Sequence, residues 1–100
     1  MIHVIATIEL VEGKRDAFLE EFRRIIKIVR DEDGCIEYGP AIDLETDVSE
    51  VPRPNVVSVI EKWASVPALQ AHLRAPHMAR YRDSVREMIT GIKILVLKPA

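Results

Sequence analysis

The strict alternation of apolar residues at the start of the chain is the feature that most constrains its fold. Between positions 2 and 10 every even-numbered residue is apolar, whereas the odd-numbered residues are mixed. Successive side chains of a β-strand point to opposite faces, so this period of two predicts a strand with one face in a hydrophobic core. The residues of that face are Ile2, Val4, Ala6, Ile8 and Leu10.

A helical pattern follows this strand. From position 14 to position 32, apolar residues recur at steps of four, three and four, and charged residues flank them. This spacing predicts one amphipathic helix whose buried stripe is formed by Phe18, Phe22, Ile25 and Val29. Gly34 is placed to end the helix.

Proline, glycine and serine divide the rest of the chain. Ser65 offers a helix N-cap with Pro67 in the first turn, Pro76 should interrupt that helix, and Gly91 should close the next one. The pair Gly39-Pro40 indicates an edge or bulged strand, because proline cannot donate a hydrogen bond to a neighbouring strand. The predicted elements are a strand over 35–44, a connection over 45–54, a strand over 55–64, helices over 66–74 and 77–90, and a strand over 92–98.

The order strand, helix, strand, strand, broken helix, strand is that of a split βαβ, ferredoxin-like α+β domain. We therefore predict a single domain over residues 1–100, with a four-stranded antiparallel sheet and helices on one face. Apolar residues occupy both faces of the last strand, over 92–97. A monomer would expose them, so we expect a homodimer that stacks sheet on sheet as a dimeric α+β barrel.

Composition narrows the class of protein. The chain is 48% hydrophobic and 30% charged, as a small globular domain requires, and no apolar run approaches the roughly 20 residues that span a bilayer. Its start lacks the pattern of a signal peptide, so we expect a cytoplasmic protein without a membrane partner. The net charge is −2, and residues 31–50 hold eight acids and no base, which argues against nucleic-acid binding.

Reactive side chains concentrate between positions 61 and 81, and this region carries a resemblance to a known family. The runs Glu-Lys-Trp-Ala-Ser at 61–65, Ala-His-Leu at 71–73 and Pro-His-Met at 76–78 resemble the signature of the antibiotic biosynthesis monooxygenases. Asp-Gly-Cys at 33–35 and the ending over 94–99 extend the similarity to nearly the whole chain. Within that family the chain most resembles the bacterial quinol monooxygenases.

The resemblance implies a dimeric ferredoxin-like fold with a pocket between sheet and helices. Several members use such a pocket for oxygen chemistry without metal, flavin or haem, so no cofactor is expected, and the partners implied are a small aromatic substrate and molecular oxygen. By residue type and position, the candidate catalytic residues are His72 and His77, one of which would act as a base. The candidate substrate-binding residues are Trp63, Tyr81, Tyr38, Asn55, Glu61 and Met78.

A purely structural interpretation is also open for the two histidines, for Trp63 and for the two tyrosines. A histidine at the margin of an apolar helical face is often held by a backbone carbonyl, and His77 could simply cap a helix. Trp63 could belong to the core or supply a flat wall for an aromatic ligand. The hydroxyl groups of Tyr38 and Tyr81 need partners in a plain core as well as in a binding site.

A metal site is not expected from the histidine spacing. His72 and His77 are five positions apart with Pro76 between them, whereas a helical zinc pair uses i, i+4 on one uninterrupted face. A third ligand would have to come from Glu61 or His3. No glycine-rich phosphate loop is present, and the acids around Cys35 would raise the pKa of its thiol and so disfavour a nucleophilic role.

The sequence thus favours a cofactor-independent monooxygenase that acts on a small aromatic diol such as a quinol. Two alternatives stay open, because fold analogy is a poor guide to the reaction. One is a cofactor-free isomerase or a degradative enzyme for a small signalling metabolite, which would use the same base without oxygen. The other is a non-catalytic dimeric ligand-binding module.

Overall fold

The computed structural model describes all residues from 1 to 100 and has the predicted ferredoxin-like architecture. Its four strands form one antiparallel sheet in the order β2-β3-β1-β4. The elements are β1 (Ile2–Leu10), α1 (Arg15–Arg23), α2 (Ile26–Arg30), β2 (Cys35–Ala41), β3 (Val56–Trp63), α3 (Val66–Arg74), α4 (Pro76–Val85), a 3₁₀ turn (Arg86–Met88) and β4 (Ile89–Leu97). The fold class predicted from the sequence is confirmed.

The sheet has a covered face, on which the helices pack, and an open face. The side chains of the central strand β1 alternate between them. Its even-numbered residues are all buried, as the alternation predicts. Ala6 lies opposite Val59 of β3 and Ile94 of β4, so these residues share the face that the helices cover. On the other face Ile5 lies between Ile60 and Leu95, and no element of the protomer packs over them.

The predicted first helix is divided in two. At the division, the Arg24 and Ile25 amides donate to carbonyls three residues earlier, those of Glu21 and Phe22, at 3.2 and 3.1 Å. These i→i−3 bonds tighten the turn and end α1 at Arg23. The prediction of one continuous helix was therefore wrong in this respect, although the predicted apolar stripe is buried.

The last strand begins earlier than predicted. Gly91 does not close a helix, because α4 ends at Val85 and the strand pairing of β4 with β1 already includes Ile89 and Gly91. The predicted edge position of β2 is confirmed, but its irregularity lies between Cys35 and Glu37 rather than at the proline. Pro40 is tolerated because β2 has a neighbour on only one side.

Gly34 holds the turn before β2 against the start of α3. Its φ is +82°, and a Cβ at this position would lie 2.7 Å from the Cβ of Ala68. The Gly34 carbonyl accepts a 2.7 Å hydrogen bond from the Ala64 amide, and Ser65 caps α3 as predicted, accepting from the Ala68 amide. Only glycine meets both the conformation and the close approach. This contact brings the turn over 31–34 to the helices that carry the two candidate histidines.

No helix of the structure has the length and apolar character that a membrane span requires. The helices leave β4 partly uncovered, although one side of it belongs to the covered face of the sheet. Its residues on that face, Ile92, Ile94 and Val96, are each about half exposed in the isolated protomer. The open face adds Leu95 and Leu97. Both faces of this strand are therefore apolar and accessible.

Candidate functional site

A cavity of about 650 Å³ lies between the covered face of the sheet and the helices. Its volume is within the usual range of about 300–1,000 Å³ for small-molecule sites. Most of its wall is apolar and includes Ala6, Val59, Met78, Val85, Ile92 and Ile94. Among the predicted site residues, Glu61, His72 and both tyrosines also line this cavity.

Glu61 is a buried acid on the wall of the cavity. It is 6% exposed, and its Oε1 accepts a 2.9 Å hydrogen bond from the indole Nε1–H of Trp63. Burial raises the pKa of this carboxyl, the hydrogen bond from Trp63 lowers it, and the nearby Glu32 carboxylate raises it, so that the net pKa is about 7. Oε2 of Glu61 has no hydrogen-bond partner in the chain. Every fully buried polar side-chain atom has such a partner, so Oε2 is not fully buried and is accessible from the cavity.

His72 supplies the second titratable group of the cavity. The ring is 2% exposed, and its Nδ1 lies 2.9 Å from Oε2 of Glu32. Burial lowers the pKa of the imidazole, although the hydrogen bond and charge of Glu32 act in the opposite direction. The ring is therefore neutral near pH 7. The Nε2 atom has no partner in the chain, so by the same reasoning it is accessible from the cavity.

Glu32 connects the two candidate histidines. Its Oε2 lies 3.1 Å from Nε2 of His77 as well as 2.9 Å from His72. His77 itself is absent from the cavity wall. The potential metal-ligand atoms of Glu32, His72 and His77 lie within 4.8 Å of one another, so these are the residues that could hold a metal ion if one were bound. Sequence reasoning missed Glu32 and looked instead to Glu61 or His3 for a third ligand.

Two tyrosines add hydroxyl groups to the polar lining, which also includes Arg82, Asp83 and Arg86. The Tyr38 ring stacks on Phe22 with centroids 5.4 Å apart, and Tyr81 meets the same phenylalanine edge-on at 5.9 Å. Burial and the charge of Glu61 raise the pKa of both phenols, so both hydroxyl groups are neutral donors at physiological pH. Neither hydroxyl group has a partner in the chain, and both are accessible from the cavity.

Two predicted substrate-binding residues lie elsewhere. Trp63 is fully buried and does not line the cavity; it supports Glu61 from behind and packs on the His72 ring at a centroid distance of 4.7 Å. Asn55 precedes the opposite end of β3, where its Oδ1 accepts a hydrogen bond from the Gly13 amide at 3.3 Å. The aromatic residues that line the cavity are Phe22, Tyr38 and Tyr81.

Comparison with known proteins agrees with this architecture. The family model described as "Antibiotic biosynthesis monooxygenase" matches residues 1–84. The chain belongs to the antibiotic biosynthesis monooxygenase family. The resemblance inferred from the sequence is thereby confirmed, and membership supports monooxygenase activity in general terms.

Individual relatives of this family member span its whole length. The probable quinol monooxygenase YgiN of Escherichia coli (strain K12) is 36% identical, over 99% of this chain and 98% of that protein. Two solved structures have the same fold. PA3566 from Pseudomonas aeruginosa is 25% identical with a TM-score of 0.83, covering 99% of this chain and 93% of that one. Rv0793 from Mycobacterium tuberculosis is 28% identical with a TM-score of 0.78, covering 99% and 94%.

Proposed function

We propose that this family member is a cofactor-independent monooxygenase that oxidises a small aromatic diol, such as a quinol, with molecular oxygen. The observation that carries the proposal is the arrangement of four accessible polar groups in a largely apolar cavity of about 650 Å³, whose wall also includes Arg82, Asp83 and Arg86. These groups are the Glu61 carboxyl, the His72 imidazole and the hydroxyls of Tyr38 and Tyr81. The name of the YgiN relative, a probable quinol monooxygenase, supports the same substrate class.

The proposed reaction begins with proton transfer from a substrate hydroxyl group to Nε2 of His72. The resulting anion gives up electrons to oxygen, one oxygen atom enters the ring, and the other leaves as water. A quinol and O₂ thus yield a hydroxyquinone and water. All four electrons that reduce O₂ come from the substrate, so no external reductant is needed to balance the reaction.

The first proton transfer is unfavourable without further help from the cavity. A phenol titrates near 10 and an ordinary histidine near 6.5, a difference that corresponds to about 4.8 kcal/mol. The lowered pKa of His72 increases this difference. In our proposal the hydroxyls of Tyr38 and Tyr81 and the protonated Glu61 donate hydrogen bonds to the substrate oxygens as negative charge develops, and the apolar surroundings strengthen those bonds.

We further propose that the active form is a homodimer. The apolar residues on both faces of β4 are accessible in the protomer, and Ile92 and Ile94 belong to the cavity wall while remaining about half exposed. A second copy packed against the sheet would bury the open face and shelter this side of the cavity from water. Water exclusion would in turn favour the electrostatic stabilisation that the reaction needs.

Oxygen uptake with a reduced naphthoquinone, measured on metal-stripped protein, tests the proposal. We expect uptake above the rate of spontaneous oxidation, and a loss of about 10²–10⁴-fold in His72→Ala, the usual value of general-base assistance. Gln70→Ala is the matched control and should retain activity, since Gln70 is exposed on the same helix, α3, and does not line the cavity. The same rate with and without the protein, over a series of quinols, would refute an oxygenase function.

The neutral base and the raised-pKa acid also suit a cofactor-free isomerase, the second candidate. In that case His72 removes a proton from a substrate and Glu61 returns one elsewhere, with no oxygen consumed. Turnover of an enolisable substrate under argon, lost in His72→Ala, would favour this alternative. Turnover that requires oxygen would exclude it.

A further inference from the structure

We propose that Glu32 is a positioning residue that holds His72 in the tautomer with its proton on Nδ1 and its basic lone pair on Nε2, facing the cavity. The role in turnover rests on the proposed function, whereas the tautomer itself does not. Neither the positioning by Glu32 nor the action of His72 as a base depends on a cofactor. In this assignment His72 alone is the base, and His77 contributes from outside the cavity by holding the Glu32 carboxylate.

The hydrogen-bonding capacity of a carboxylate dictates this tautomer. An ionised carboxylate only accepts hydrogen bonds, so a ring nitrogen 2.9 Å from its oxygen must carry the proton. For His72 that nitrogen is Nδ1, and a neutral ring then has its lone pair on Nε2. Which nitrogen of a histidine is protonated is set by the bond that the other makes. Glu32 thus directs the basic nitrogen of His72 towards the space where substrate would lie.

Three separate segments of the chain converge to make this arrangement. Glu32 lies 40 positions before His72 and 45 before His77, in the turn that Gly34 holds against α3. The Glu32 side chain is only 16% exposed, so solvent competes weakly for its oxygens. The second hydrogen bond, from Nε2 of His77 at 3.1 Å, fixes the carboxylate from the α4 side. Each side chain has little freedom to turn away.

The ligand atoms of Glu32, His72 and His77 lie close enough together to bind a metal ion. Their hydrogen bonds nevertheless favour the Nδ1–H tautomer of His72 over metal binding. To bind a metal through its Nδ1, His72 would give up the proton that it donates to Glu32. Metal coordination through Nδ1 in this cluster and the Nδ1–H tautomer are therefore mutually exclusive, and one measurement distinguishes them.

Nitrogen-15 NMR of the histidine rings at neutral pH provides that measurement. We expect the wild-type protein to show His72 as a neutral ring with its proton on Nδ1, in contact with Glu32. In Glu32→Ala this proton should shift to Nε2 or exchange between the two nitrogens. Glu37→Gln is the matched control, because Glu37 is an exposed acid on β2 that pairs with Lys62, and its spectrum should match the wild type.

Kinetics on the same variants test the consequence for turnover. We expect kcat to fall by at least about tenfold in Glu32→Ala, with KM changed by less than threefold, because the base is misdirected while the cavity wall is intact. His77→Gln should lose less, since the first hydrogen bond remains. If Glu32→Ala fails to fold, Glu32→Gln serves instead, because a neutral amide accepts hydrogen bonds less strongly than a carboxylate and can also donate one to Nδ1, which permits the other tautomer.

The outcomes are distinct. A wild-type His72 with its proton on Nε2 would overturn the assignment, whatever the variants do. So would stoichiometric zinc in the protein as purified that is absent from Glu32→Ala, and so would an unchanged kcat in a folded Glu32→Ala. Failure of every quinol to react, with the Nδ1 tautomer present, would refute the proposed function and leave the positioning of His72 standing.

Discussion

Glu61→Gln is the substitution that most directly tests the electrostatics of the cavity. Glutamine has nearly the same shape as glutamate, and its amide oxygen can accept the hydrogen bond from Trp63 that Oε1 accepts in the native protein. The change therefore removes an ionisable group without removing the packing. Any difference between the two proteins that depends on pH can be assigned to ionisation of Glu61.

The expected magnitude follows from the raised pKa. Glu61 titrates near 4.5 in the unfolded chain and near 7 in the folded protein. Because the folded state favours the protonated form, its contribution to stability is fully present below pH 4.5 and is lost as the pH rises through 7. Between pH 5 and pH 8 the free energy of unfolding of the wild type should fall by about 2.5 kcal/mol relative to Glu61→Gln.

Urea denaturation of both proteins at the same concentration, at intervals from pH 5 to pH 8, measures this difference. At pH 8 the variant should be the more stable protein, even though a conserved-shape substitution in a core usually costs stability. Glu37→Gln, on the neighbouring strand and exposed, should show no such trend. Parallel stability curves for wild type and Glu61→Gln would refute the reasoning that burial holds Glu61 protonated.

Three further predictions concern turnover, assembly and the turn before β2. Oxygen uptake should fall at low pH as His72 becomes protonated and above about pH 7 as Glu61 ionises, and the second decline should disappear in Glu61→Gln. Leu95→Asp, at a residue 59% exposed in the protomer, should convert a dimer into a folded monomer in sedimentation equilibrium, whereas a wild-type monomer would refute the dimer. Gly34→Ala should cost about 1–3 kcal/mol more than Gly13→Ala in thermal unfolding, because both have φ near +80° but only Gly34 contacts Ala68, and equal losses would refute that contact.

The sheet could be predicted because its signals are local. Alternation over Ile2–Leu10 sets which face of β1 is buried, and the same reading of β3 places Val59 and Glu61 on one face. The division of the first helix and the early start of β4 could not be predicted in this way. Both result from tertiary contacts, since pairing with β1 extends β4 through Gly91, a residue that locally indicates the end of a helix.

The candidate site was only partly predictable for a related reason. Its apolar wall and its histidine are visible in the sequence, because they lie on elements with clear periodicity. Glu32 gives no such signal: it is one of eight acids in a stretch typical of a solvated surface, and only the contact of Gly34 with Ala68 brings it to the histidines. Long-range pairing of this kind has no counterpart in local spacing.

Trp63 illustrates how the fold joins the two chemical groups that the sequence presents separately. Its indole N–H donates to Glu61 on its own strand, and its ring packs against His72 on the next helix. Trp63 is fully buried and does not line the cavity, so it does not contact a substrate directly. Its hydrogen bond lowers the pKa of Glu61 and so limits the rise that burial causes. The same side chain excludes water from His72 and contributes to the burial that keeps that imidazole neutral. One buried residue thereby lowers the pKa of both groups, and a protonated Glu61 and a neutral His72 coexist below the Glu61 pKa of about 7, which is the condition under which an acid and a base can act in a single turnover.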